Sequence, residues 1–219
     1  MEKKNKRLFF AGVSLLAAFV LWTALVHFVD VQAIGPQESS VGLATLNGYV
    51  HNLTGVNMSL YVITDWLGLV PIAVAFGFAV LGLAQWIKRK SFLKVDRRIL
   101  VLGGFYIVVM AVYALFETVV INYRPVLIDG YLEASYPSST TMLVMCVMPT
   151  AMMQLRARIK NDVFRRCVMV IIAAFIAFMV IGRLVSGVHW ITDIIGGVLF
   201  STGIVLMYYA ISKIAIKNL

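Results

Sequence analysis

The stretch LFFAGVSLLAAFVLWTALVHFV, residues 8–29, decides the fold class. A helix that crosses a bilayer core needs roughly 20 predominantly apolar residues, and this run supplies that length without a formal charge. A secretory signal peptide would have a shorter apolar core followed by a small-residue cleavage site, so the run reads as a retained span. Five more apolar runs follow, at about 58–87, 99–122, 139–155, 167–185 and 189–211, the one at 139–155 being short. The sequence therefore predicts an all-α membrane protein, a six-transmembrane-helix bundle forming one integral membrane domain over residues 1–219. Between the first two runs, Val41, Leu43, Leu46, Val50 and Leu53 recur at near-helical spacing. That pattern suits a short interfacial helix, with a plain loop as the alternative.

Composition agrees with this reading. The chain has 219 residues, of which 61% are hydrophobic and 13% charged, against about a quarter charged in soluble domains. The net charge of +9 does not point to nucleic acid, because the basic residues sit in loops between apolar runs with no interleaved aromatics. Cys146 and Cys167 form no CxxC or Cys/His cluster, so neither a zinc site nor a disulfide framework is indicated. Trp22, Trp66, Trp86 and Trp190 fall near span ends, where an aromatic belt is expected.

The distribution of lysine and arginine sets the orientation. Four segments alternate with the apolar runs and carry nearly all of them: Lys3 to Arg7, Lys88 to Arg98, Arg156 to Arg166, and Lys213 with Lys217. With six spans these segments share one side, so both termini are expected in the cytoplasm. Of the 19 Lys and Arg residues, only Arg124 and Arg183 fall outside them. Topology alone requires no charge at the opposite face.

Near those two arginines lie His189, read as the start of the sixth span, and Asp193 four residues later. A separation of four on a helix places side chains on one face. Asp193 can then hold one ring nitrogen of His189 and leave the other free as a nucleophile or base. A plain polar contact between helices is the competing account of the pair. Ionisable groups at membrane depth are costly and commonly functional. Two guanidinium groups can grip phosphate oxygens through paired donors, and a histidine beside them can attack phosphorus.

The order Arg124-Pro125, Pro137-Ser138, then Arg183 with His189 and Asp193 in Arg-x5-His-x3-Asp spacing resembles the type 2 phosphatidic acid phosphatase (lipid phosphate phosphatase) family. The resemblance implies that His189 is a nucleophile forming a phosphohistidine and that Asp193 orients it. It implies that Arg124 and Arg183 hold the phosphate, with Ser138, Ser139 and the start of the fourth span completing the cradle. It implies a membrane lipid substrate and no metal or other cofactor, since the arginines supply the positive charge. Three positions depart from the family pattern. Glu117 stands where the first block has lysine, Thr140 where the second has a histidine that protonates the leaving oxygen, and Gly182 where the third has serine.

A threonine hydroxyl is no general acid near neutral pH, and that function is worth roughly 10²–10⁴-fold. A pyrophosphate substrate, whose leaving group is already stable, needs it less. Glu117 is either a salt-bridge partner of Arg124 or, with its pKa raised by partial burial, the missing acid. Asp65, on the same side of the membrane, is either a helix–helix contact or a partner of Arg124 or Arg183. His27 and His51 are read as uninvolved. The expected activity is a membrane phosphatase or phosphotransferase facing away from the cytoplasm, at a plasma membrane. The rival is a weak or inactive relative that binds phospholipid head groups.

Overall fold

A computed structural model describes residues 3–217. Its helices are α1 (Lys3–Phe28), α2 (Ala44–Thr54), α3 (Met58–Leu67), α4 (Leu69–Arg89), α5 (Arg97–Thr118), α6 (Ser139–Arg158), α7 (Asp162–Val185) and α8 (Ile191–Lys217). Polar side chains mark four of the starts by accepting the orphan amides of a first turn: Asn57 from Leu60, Asp96 from Arg98, Ser138 from Thr141 and Asn161 from Phe164. The outside of the bundle is apolar. Phe10, Leu21, Phe76, Ile107, Val170 and Ile171 are all exposed, the inverse of a water-soluble helix bundle.

Among the described residues, five helical runs are long and apolar enough to cross a membrane: α1, the run Met58–Arg89, α5, α7 and the part of α8 from Ile191 to Lys213. The fourth expected span, α6, does not meet that description. It carries Thr140, Thr141, Thr150 and Gln154, and it packs against α4, α7 and α8 with Thr141, Thr150 and Gln154 buried. A helix enclosed by other helices solvates its polar groups on protein and need not be soluble in lipid: Thr150 donates to the Cys146 carbonyl at 2.9 Å, and Gln154 donates to the Tyr208 hydroxyl at 2.9 Å.

The second expected span is two helices abutting at Gly68, which keeps right-handed dihedrals (φ −60°, ψ −19°). Pro71 accounts for the interruption, because it has no N–H to offer the carbonyl four residues back, at Leu67. The third expected span, 99–122, is helical only to Thr118, and residues beyond it fold as a loop. The region read as an interfacial helix or a loop is helical as α2, packed on α8.

α1 and α8 form the most extensive helix pair, along a seam of small residues. A Cβ on Gly12 would lie 2.7 Å from the Gly203 carbonyl oxygen, so only glycine permits this approach. The loop from α5 to α6 closes as a small hairpin: Arg124 N donates to Glu133 O at 3.0 Å, and Ser135 N donates to Asn122 O at 2.9 Å. That hairpin and the turn between α7 and α8 meet at one end of the bundle. In the turn, Gly187 has φ +66°, and any Cβ there would meet the Gly55 carbonyl.

Candidate active site

His189 does not sit on a helix. α8 begins at Ile191, and His189 lies in the turn before it. The expected placement at the head of the sixth helix is therefore corrected, and the reason is Asp193. Its Oδ2 accepts the Trp190 amide at 2.9 Å, the reach-back half of a capping box that fixes Trp190 as the N-cap. The same carboxylate faces the imidazole, but the distance from His189 Nδ1 to Asp193 Oδ2 is 3.6 Å, too long for a hydrogen bond. The hydroxyl of Ser135 stands between them. It lies 3.3 Å from Nδ1 and donates to Asp193 Oδ2. Ser135 arrives from the α5–α6 hairpin.

On the opposite ring edge, Nε2 faces both arginines. Arg124 Nη1 and Arg183 Nη2 each lie 3.4 Å from it. A guanidinium only donates, so Nε2 is the acceptor and the ring proton resides on Nδ1. Burial, with Arg124 and Arg183 beside it, holds the His189 pKa well below the ordinary 6.5. The ring is thus held toward its neutral form, with the Nε2 lone pair turned to the two guanidinium groups.

The two cations are partly neutralised. Arg124 Nε pairs with Glu133 Oε2 at 3.0 Å, and Arg183 Nη1 pairs with Asp65 Oδ1 at 3.5 Å. Thr64 Oγ1 lies 3.4 Å from Arg183 Nη1, and the Tyr61 ring sits 5.0 Å from the Arg183 guanidinium carbon and 5.9 Å from that of Arg124. The guanidinium groups are buried, while the Glu133 and Asp65 side chains are 43% and 56% exposed. Water screens such carboxylates, so the site keeps a positive field that suits an anion.

Both arginines border a polar cavity of about 600 Å³, together with Tyr61, Asp65, Glu117, Glu133, Ser139 and Thr140. Ser138, expected in the phosphate cradle, is turned into the fold. It is fully buried, its N–H donates to the Asp193 carbonyl at 3.1 Å, and its Oγ caps α6. Its neighbours Ser139 and Thr140 reach the cavity instead, in the first turn of α6, whose amides have no intrahelical partner.

Glu117 is corrected as the partner of Arg124: the helix ends at Thr118, so the chain leaves helical register and Glu133 takes that place. Glu117 is also exposed, which removes the partial burial invoked for an acid role. Asp65 is the partner of Arg183. His27 is exposed on α1, and His51 packs on Trp190 with ring centroids 5.4 Å apart. Ser135, Glu133, Tyr61 and Thr64 were not read from the sequence. Only Ser135 had any signal, its place two residues before the Pro137-Ser138 block. Among the described residues, no three His, Cys, Asp or Glu side chains converge to hold a metal.

From the polar cavity an apolar groove of about 380 Å³ continues between α4, α5 and α6. Asp65, Tyr113, Ser139 and Thr140 line both spaces, and Leu69, Ile72, Met110 and Leu143 line the groove beyond.

Comparison with known proteins bears on this arrangement. The PAP2 superfamily model matches residues 117–217. Among solved structures, the chain resembles the crystal structure described as the first transmembrane PAP2 type phosphatidylglycerolphosphate phosphatase from Bacillus subtilis. The identity is 20%, the coverage 91% of this chain and 93% of that one, and the TM-score 0.50. At that identity the likeness concerns the fold. No curated protein matches the chain. The stretch that carries Arg124, Arg183, His189 and Asp193 is thus the part of the chain that matches the PAP2 superfamily.

Proposed function

We propose that this chain is an integral membrane phosphatase or phosphotransferase that cleaves a lipid phosphate or pyrophosphate through a phosphohistidine on His189. The observation that carries the reading is the position of His189 Nε2, a neutral lone pair 3.4 Å from one guanidinium nitrogen of each arginine. Mere binding of an anion needs the arginines and not the nucleophile. Arg124 and Arg183 grip the non-bridging oxygens and stabilise the charge that spreads over them in flight. Nε2 forms a bond to phosphorus, and the bond from phosphorus to the leaving oxygen breaks with its electron pair on that oxygen. Water or another acceptor then attacks the phosphohistidine and restores the imidazole.

The apolar groove that opens from the polar cavity supports an amphiphilic substrate, head group on the arginines and chain between α4 and α5. Thr140 supports the choice of leaving group: with no acid at that position, a lipid pyrophosphate that expels a phosphate monoester turns over faster than a simple alkyl phosphate. The charge distribution along the sequence supports a site at the non-cytoplasmic face of the plasma membrane.

The test uses purified protein in detergent micelles with a panel of lipid monophosphates and pyrophosphates, beside the His189→Ala variant. The expected outcome is phosphate release that falls by at least about 10³-fold in the variant. Lipid binding without release from any substrate would instead favour the head-group-binding relative.

A further inference from the structure

Resting on the reading of His189 as the nucleophile, we infer that Ser135 is a positioning residue whose hydroxyl couples His189 to Asp193. The evidence is geometric. Asp193 Oδ2 and His189 Nδ1 are 3.6 Å apart, and the Ser135 Oγ touches both. All three side chains are buried, so bulk water does not compete for these bonds.

The directions of the bonds close consistently. Nε2 accepts from the arginines, so Nδ1 carries the ring hydrogen and donates to Ser135 Oγ. The single hydroxyl hydrogen of Ser135 goes to Asp193 Oδ2. Asp193 also accepts the Trp190 amide, which ties the carboxylate to the start of α8. The chain Nδ1–H to Oγ–H to Oδ2 therefore holds one tautomer and keeps the Nε2 lone pair toward the phosphate site. When Nε2 bonds to phosphorus the ring becomes cationic. The polarised hydroxyl, backed by the carboxylate, stabilises that charge with no proton leaving the chain of bonds.

Two different segments meet here. Asp193 and His189 come from the α7–α8 turn and the first turn of α8, while Ser135 comes from the hairpin that also presents Arg124. Ser135 thus fastens the nucleophile's segment to the segment bearing one phosphate-binding arginine.

The test is a series of Ser135→Ala, Ser135→Cys and Ser135→Thr, with His189→Ala as reference, on the lipid phosphate that the parent turns over fastest. Loss of an outer partner of a metal-bound imidazole typically costs about 10- to 100-fold, and a fall in kcat of that order is expected here for alanine and cysteine. Threonine, which keeps the hydroxyl, recovers most of the rate. Ser135 does not line the polar cavity, so KM and inhibition by inorganic phosphate stay within about twofold of the parent. That split separates positioning from general unfolding, which would weaken phosphate binding as well.

A second readout needs no turnover. The chain has only 3 histidines, so ¹⁵N-histidine NMR with His189→Ala for assignment resolves the His189 tautomer. The parent is expected to carry the hydrogen on Nδ1. An alanine variant within about twofold of parent kcat would overturn the inference, leaving the Ser135 carbonyl or Asp193 itself as the partner of Nδ1. So would a threonine variant as slow as alanine, or a hydrogen found on Nε2 in the parent. If His189→Ala retains turnover, the phosphohistidine reading fails, and that result is distinct from all of these.

Discussion

At the scale of the residue, the site is a contest over where charges find partners. Arg124 and Arg183 are buried cations, and each has one half-exposed carboxylate. The fold chose Glu133 for Arg124, and that choice leaves Glu117 on the rim of the cavity, exposed and beside Tyr113. The coupling of an exposed carboxylate to another exposed or partly exposed charge is worth no more than about 1 kcal/mol. Glu117→Gln should therefore change phosphate release by less than about fivefold, and leave the shape of the pH–rate profile as it is. Steady-state rates from pH 5 to 9 on parent and variant check this; loss of one limb of the profile would restore Glu117 as the acid. The residues that sequence reading reached are those with a spacing: Arg124, Arg183, His189 and Asp193. Glu133 and Ser135 share a polar loop with no periodicity, and only closure of the hairpin brings them to the arginine and the histidine. Ser138 misled for a related reason. A serine at a helix start has two uses, and here it spends both its polar groups on the fold.

At the scale of the element, the sequence displayed hydrophobic length well and helix ends poorly. Runs such as 8–29 leave no alternative to a long helix, because their length and lack of charge are visible in one dimension. Ends depend on local competitors that a run of apolar letters does not show. Pro71 interrupts the second run at Gly68, Asp193 starts α8 two residues after His189, and α5 stops at Thr118 although apolar residues continue. α6 shows the converse. Its low apolarity is tolerated because its polar side chains are satisfied within the bundle, Thr150 on its own helix and on the Tyr106 hydroxyl of α5, Gln154 on the Tyr208 hydroxyl of α8. The α1–α8 seam gives a test at this scale. Gly12→Leu inserts atoms where a Cβ already lies 2.7 Å from both the Gly203 oxygen and Met207 Cγ. Forcing extra volume into a packed contact typically costs about 1–3 kcal/mol, and a lower midpoint of thermal unfolding in detergent is expected. Gly77→Leu is the matched control, because a Cβ on Gly77 meets nothing within 4 Å. Equal melting of the two variants would show that the seam does not hold the bundle.

At the scale of the whole molecule, the question is how a membrane protein holds two arginines apart from its four basic segments. Lysine and arginine retained in loops set the orientation, and of 19 such residues only Arg124 and Arg183 depart from the four basic segments. Both departures are buried and each is paired with a carboxylate, Glu133 or Asp65. Once folded, they form a site and not a bare charged loop. In the basic segments Arg158 pairs with Asp96 and Arg165 with Asp162, but positive charge stays in excess there, with Lys88, Arg89, Lys90 and Lys94 crowding the first of them. The orientation proposed from these charges would put the α5–α6 hairpin outside and the α4–α5 loop inside. Single cysteines report this directly. In a background with Cys146→Ala and Cys167→Ser, Tyr131→Cys and Leu93→Cys each place a thiol at a highly exposed position, 74% and 86% exposed in the parent. In intact cells a membrane-impermeant maleimide should label the cysteine at 131 at once and the one at 93 only after permeabilisation. The reverse pattern would put the phosphate site on the cytoplasmic face. His189 would then meet head groups of the inner leaflet, and the two arginines would add to the basic side instead of standing apart from it.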